Sequence, residues 1–201
     1  MLAKDSRMSI RLNSARIVAG FRRGTQVIIC ALWLFPALAS AGAEAFKPGP
    51  VFRDFGRIAQ VDTTVAIPKG MKFKVAFDMS KAAPVGETNR QLDSLARFIN
   101  MHVAAGVKPS DIEVAMVVHG PGVADLASNV FYGQQNSGAA NANAAIVEAL
   151  TQQGVKLYVC GQSAAYYGLD KSALLPGVDM ALSAMTAHAI LAQDGFSMNP
   201  F

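Results

Sequence analysis

The sequence predicts an α/β fold in which a mainly parallel sheet carries helices on both faces. Apolar runs of strand length recur at Phe73 to Phe77, Ile112 to Val118, Val155 to Val159 and Val178 to Leu182, and stretches of helical periodicity separate them. Strands that alternate with helices at this interval read as crossover units, because a parallel partner is reached only through a connection long enough to hold a helix. Composition bounds the size. A chain of 201 residues, 52% hydrophobic and 16% charged, supplies one core and is too apolar for a disordered polymer.

Residues 1–43 read as a signal peptide. Val27 to Ala39 is an apolar stretch preceded by Arg22-Arg23 and followed by small residues, with cleavage expected after Ala41 or Ala43. The run is shorter than the ~20 residues that span a bilayer, and Pro36 weakens a helix within it. No stable membrane insertion is therefore expected after cleavage, and the expected location is periplasmic or otherwise exported. Arg22-Arg23 lacks the residues that complete a twin-arginine signal, and Cys30 follows Ile29 rather than the small residue that precedes a lipidated cysteine. Met8 offers a second possible start to Met1. Charge divides at the same place: the first 43 residues hold six basic side chains against Asp5, a net of +5, and the remainder stands at −1. The basic balance belongs to the leader, so it is no argument for nucleic-acid binding.

Residues 44–70, with their prolines and glycines and a β-like segment from Ile58 to Ala66, read as an N-terminal arm or edge hairpin. The α/β domain then occupies residues 71–201. Phe73, Val75 and Phe77 alternate with Lys72, Lys74 and Asp78, the pattern of a strand with one buried face. Thr88 to Gln91 has the form of a capping box, and Leu92, Leu95, Ala96, Ile99 and Val103 recur at helical spacing until Gly106. Ile112 to Val118 is apolar apart from Glu113, as in a strand covered on both faces. A polar loop from Gly133 to Asn143, a candidate lid, leads into a helix from Asn143 to Gln153. The strand from Val155 runs into Cys160-Gly161-Gln162-Ser163. Met185 to Gln193 is the last expected helix.

Ligands of parallel sheets sit outside the carboxyl ends of the strands, and two such ends carry reactive side chains. Cys160 is the only cysteine after the leader, which excludes an internal disulfide and a CxxC pair. A thiol at a strand-to-helix turn is expected to be accessible and of lowered pKa, because free N–H groups at a helix start favour the thiolate. The alternative is an inert, buried small residue. His119 occupies the equivalent place one strand earlier, either as a partner for the thiol proton or as a hydrogen-bonded strand-end histidine. Gly120-Pro121-Gly122 is a weak anion-cradling signal. His102 and His188 fall within helices, at core edges or on solvated faces, and the scattered histidines show no metal-ligand spacing. No cofactor is implied.

The succession of His119-Gly120, the polar loop, GVKLYVCGQS around Cys160, the Leu174-Leu175-Pro176 turn and the closing LAQDGF resembles the DsrE/DsrF-like family of sulfur-relay proteins, from about Lys72 to Phe196. The resemblance implies a flavodoxin-like three-layer sandwich of about five strands that associates as trimers or hexamers. It also implies a cysteine at 160 that carries sulfur as a persulfide. The leader and the arm depart from the cytoplasmic relay subunits. The expected function is thus an exported sulfur carrier or sulfurtransferase, with His119 assisting proton transfer and Gly120, Gly161, Gln162 and Ser163 holding the anionic sulfur, between a sulfane-sulfur donor and a thiol acceptor. The alternatives are a non-catalytic module binding a small anion or a partner, and a scaffold subunit of the same fold. A homo-oligomer is expected, with Phe131, Tyr132, Tyr166 and Tyr167 as candidate contact aromatics.

Overall fold

The computed structural model describes residues 42–199, so the expected leader lies almost wholly outside the described residues. Five strands, β1 (Phe73–Met79), β2 (Ile112–Val118), β3 (Lys156–Cys160), β4 (Val178–Ala181) and β5 (Ser197–Asn199), form one sheet in the order β4-β3-β2-β1-β5. Every pairing is parallel. The helices are α1 (Arg90–Ala104), α2 (Asn129–Gln135), α3 (Ala144–Gln152), α4 (Gly161–Tyr167) and α5 (Ala184–Gln193). This is the expected three-layer α/β sandwich.

Strand alternation divides the core in two. Val75, Phe77 and Met79 of β1, Val114, Met116 and Val118 of β2, and Leu157 and Val159 of β3 face one side. There they meet Leu92, Leu95 and Ile99 of α1 and Ile146, Val147 and Leu150 of α3. The other side is built of smaller residues. Ala76, Ala115 and Val117 meet Ala187 and Leu191 of α5, with Phe196 beside them. Small side chains on both partners let α5 lie close to the sheet, and this proximity matters for the site below.

Several expectations are corrected. The residue capping α1 is Asn89, whose Oδ1 accepts the Gln91 N–H at 2.9 Å, while Thr88 turns its hydroxyl to the Ala142 carbonyl at 3.4 Å. No strand forms from Ile58 to Ala66. Ile58 makes a single antiparallel bridge to Lys47, and the place beside β1 is taken instead by β5. The arm lies on α1 because Asn100, fully buried, replaces a sheet partner. Its Oδ1 accepts the N–H groups of Val51 and Phe52, and its Nδ2 donates to the carbonyls of Phe52, Phe55 and Gly56.

The polar loop before α3 is no lid. Asn141 and Asn143 are buried and hydrogen-bonded, Asn141 Nδ2 donating to the carbonyls of Asp125 and Ala127, and Asn143 Oδ1 accepting the Asn89 N–H at 2.7 Å. A buried amide satisfied in this way pins a segment, because opening it would strand several polar groups. Of the four candidate contact aromatics, Tyr132 is buried and Phe131 packs against the core, leaving Tyr166 and Tyr167 exposed. Among the described residues no helix is long and apolar enough to cross a membrane.

Candidate functional site

Cys160 ends β3 and is the cap residue of α4, with extended backbone angles (φ −65°, ψ 112°) that turn the chain from strand to helix. Its neighbour across the sheet is Ala181 of β4, three residues before α5 begins. The thiol therefore lies where two helix starts converge. Its sulfur makes no cap hydrogen bond of regular geometry within α4. The balance of its surroundings still favours the thiolate. Burial pushes the thiol pKa up, but the Ser163 hydroxyl and the backbone N–H groups of Ser163, Ala184 and Gln162 outweigh it and hold the thiol below its ordinary value. Contrary to the sequence expectation the residue is not accessible, being only 5% exposed. Beside it, Gly161 packs on the end of β4: a Cβ at Gly161 would lie 2.7 Å from the Ala181 carbonyl oxygen.

Ser163 links the two strand ends that the sequence singled out. Its Oγ accepts the Gly120 N–H at 2.9 Å, which leaves the hydroxyl proton for the Cys160 sulfur. Gly120 has φ +53° and the Ser80 carbonyl lies 3.3 Å from where its Cβ would be, so the turn after β2 requires glycine. Its N–H is spent on Ser163 rather than offered to a ligand. Gln162 contributes its backbone N–H, while its side chain donates to the Leu182 carbonyl at 3.2 Å.

His119 follows Val118, the partner of Val159, and so lies beside Cys160 across the parallel pair. Its hydrogen bond goes elsewhere. Asp78, next to last in β1, bridges two imidazoles: its Oδ2 pairs with His119 Nε2 at 2.9 Å and its Oδ1 with His188 Nε2 at 2.7 Å. Burial raises the Asp78 carboxyl, but the bonds to His188 and His119 and the charges of both rings prevail and hold it below the usual carboxylate range. An ionised carboxylate only accepts, so both rings donate to Asp78 through Nε2, and the other ring nitrogen is Nδ1. That atom is buried without a partner in His188.

Sequence reasoning placed Cys160, His119 and Ser163 at neighbouring strand ends but missed Asp78 and His188. Asp78 carried a signal, a carboxylate at the carboxyl end of a parallel strand. His188 carried none, because only the packing of α5 brings it to Asp78. Among the described residues no group of three or more His, Cys, Asp or Glu side chains is placed to hold a metal ion.

A model of the DsrE/DsrF-like family matches residues 71–199. The chain belongs to this family. As a DsrE/DsrF-like protein it is also similar to two solved structures, each covered over its whole length. One is a protein of unknown function, MTH1491, from Methanobacterium thermoautotrophicum, with 19% identity over 65% of this chain and a TM-score of 0.48. The other is the YchN protein from E. coli, with 17% identity over 64% of this chain and a TM-score of 0.44. No curated protein matches the chain. The family is associated with sulfur relay, and in this member the family match encloses Cys160, His119 and Asp78 together.

Proposed function

We propose that this DsrE/DsrF-like protein is a sulfur carrier or sulfurtransferase whose acceptor atom is the Cys160 sulfur. One observation carries the reading: the sulfur sits between the starts of α4 and α5, where a hydroxyl and three backbone N–H groups favour its anionic form. The Cys160 thiolate attacks the outer sulfur of a persulfide donor, RSSH. A new S–S bond forms, the donor S–S bond breaks, and RS⁻ leaves. The proton of the transferred sulfur passes through His119 to RS⁻, giving RSH and an anionic Cys160 persulfide with no net redox change. An acceptor thiolate then attacks the outer sulfur and releases the Cys160 thiolate. The N–H groups of Gln162, Ser163 and Ala184 hold whichever sulfur bears the charge, as donors at helix starts do for other anions.

The same reading makes residues 1–43 a cleaved export signal, so that donor and acceptor are met outside the cytoplasm, and makes the protein a trimer or hexamer. Tyr166, Leu182 and Met185, exposed beside the Cys160 turn, are suited to contacts between copies. A second reading, a module that binds a partner without chemistry, is favoured by the 5% exposure of Cys160. Persulfide-specific mass spectrometry after treatment with a sulfane donor separates the two. One added sulfur on the Cys160 peptide, absent in Cys160→Ser, supports transfer, whereas no adduct on folded protein refutes it. Sequencing the N-terminus of exported protein tests the leader, and light scattering tests the oligomer.

A further inference from the structure

α5 is the one helix, among the described residues, that packs on its face of the sheet, and it does so through small apolar side chains. Its first turn is capped by Ser183, whose Oγ accepts the Thr186 N–H at 3.1 Å. The Ala184 N–H is left over by that cap; it starts α5 three residues beyond Ala181, the β4 partner of Cys160, and is among the donors that lower the thiol pKa. Where this donor points depends on how the first turns of α5 lie on β1, β2 and β3. Ala187 and Leu191 against Ala76, Ala115 and Val117 offer area but little directional restraint. Direction comes from polar bonds. At the far end of α5, Asp194 pairs with Lys74 and Lys156 in the open. One turn from Ala184, His188 Nε2 pairs with Asp78 Oδ1 at 2.7 Å, and Asp78 is itself steadied by His119 at 2.9 Å.

We propose that Asp78 and His188 are positioning residues for Cys160: their hydrogen bond fixes the first turns of α5 on the sheet and so keeps the Ala184 N–H aimed at the sulfur. The groups that hold the sulfur's charge belong to Ser163, Ala184 and Gln162, so His188 acts through the helix that bears it. For its functional meaning the inference rests on Cys160 being the sulfur-accepting site, but its test does not depend on sulfur transfer.

The test is the pH dependence of alkylation of the Cys160 peptide in the whole chain, read by mass spectrometry. His188→Ala raises the midpoint and slows alkylation near neutral pH about fivefold, the effect of losing one hydrogen bond to a charged sulfur. His188→Gln, whose amide nitrogen can donate to Asp78 much as Nε2 does, restores both. A His188→Ala protein with wild-type circular dichroism and a wild-type midpoint overturns the proposal. So does an Ala184 amide resonance in the wild-type protein that fails to shift as Cys160 titrates, and this readout stands even where the alanine variant does not fold. Normal persulfide formation with an unmoved midpoint sinks this inference alone; the expected midpoint shift without any persulfide sinks the sulfur-transfer reading alone.

Discussion

Replacing Ser163 with alanine removes one hydroxyl that serves two strand ends at once. Its oxygen accepts the Gly120 N–H at 2.9 Å, and its proton acts on the Cys160 sulfur. A hydrogen bond to a charged group contributes ~1.5–3 kcal/mol, and the backbone N–H groups that still favour the thiolate reduce the net loss to about 1 kcal/mol. The thiolate-to-thiol ratio of Cys160 then falls about fivefold, and alkylation below the midpoint slows by the same factor. The sign extends to stability. Because folding lowers the thiol pKa, the stabilisation is present above the unfolded value of about 8.5 and is lost as pH falls through the folded value. Ser163→Ala is thus less stable than the wild type by a wider margin at about pH 9 than at about pH 6. The margin left at the lower pH is that of the orphaned Gly120 N–H, about 1 kcal/mol. Alkylation profiles and urea denaturation at both pH values measure this. An unchanged midpoint together with a stability deficit that ignores pH would refute the assignment of the hydroxyl to the sulfur.

Asn100→Ala strips the arm of its anchors and is expected to destabilise the protein by ~2–4 kcal/mol, with early proteolytic cleavage between residues 47 and 58 reporting release of the arm. Equal resistance to protease would show that Phe52 packing alone suffices. Gly161→Ala drives a methyl to 2.7 Å from the Ala181 carbonyl and should lower stability by about 1–3 kcal/mol, read as a fall in Tm. Asp125 is fully buried, and burial raises its carboxyl pKa against the lowering effect of its bonds to Asn89 and the Ala83 N–H. Its ionisation therefore opposes folding as pH rises above the ordinary carboxylate range. Asp125→Asn keeps an acceptor for both donors without the charge, so it should match or exceed wild-type stability at neutral pH and flatten the pH dependence. A loss above ~1 kcal/mol would contradict this.

The strands, the principal helices and the position of Cys160 were legible in the sequence because each is encoded locally. Alternation in β1 and the apolar run of β2 report burial at a period of two, and the spacing from Leu92 to Val103 reports a helix face. A cysteine between a strand and a helical turn can be placed at a strand end without knowing what lies opposite. Family membership, read from GVKLYVCGQS and its flanks, holds for residues 71–199. The short β5 escaped, since three half-exposed residues at a sheet edge carry no periodic signal.

Only the tertiary structure decided what surrounds the thiol. Asp78 meets His119 across 41 positions of sequence and His188 across 110, and Asn100 reaches the arm across nearly 50. Such contacts come from strand order and from the close seating of α5 on alanines, and neither leaves a mark in any window of the chain. The same is true of the 5% exposure of Cys160, whose strand position alone left both an accessible and a buried thiol open. Periodicity reports which side of an element is buried. What that side is buried against, and hence which donors and carboxylates share a site, follows from long-range packing alone.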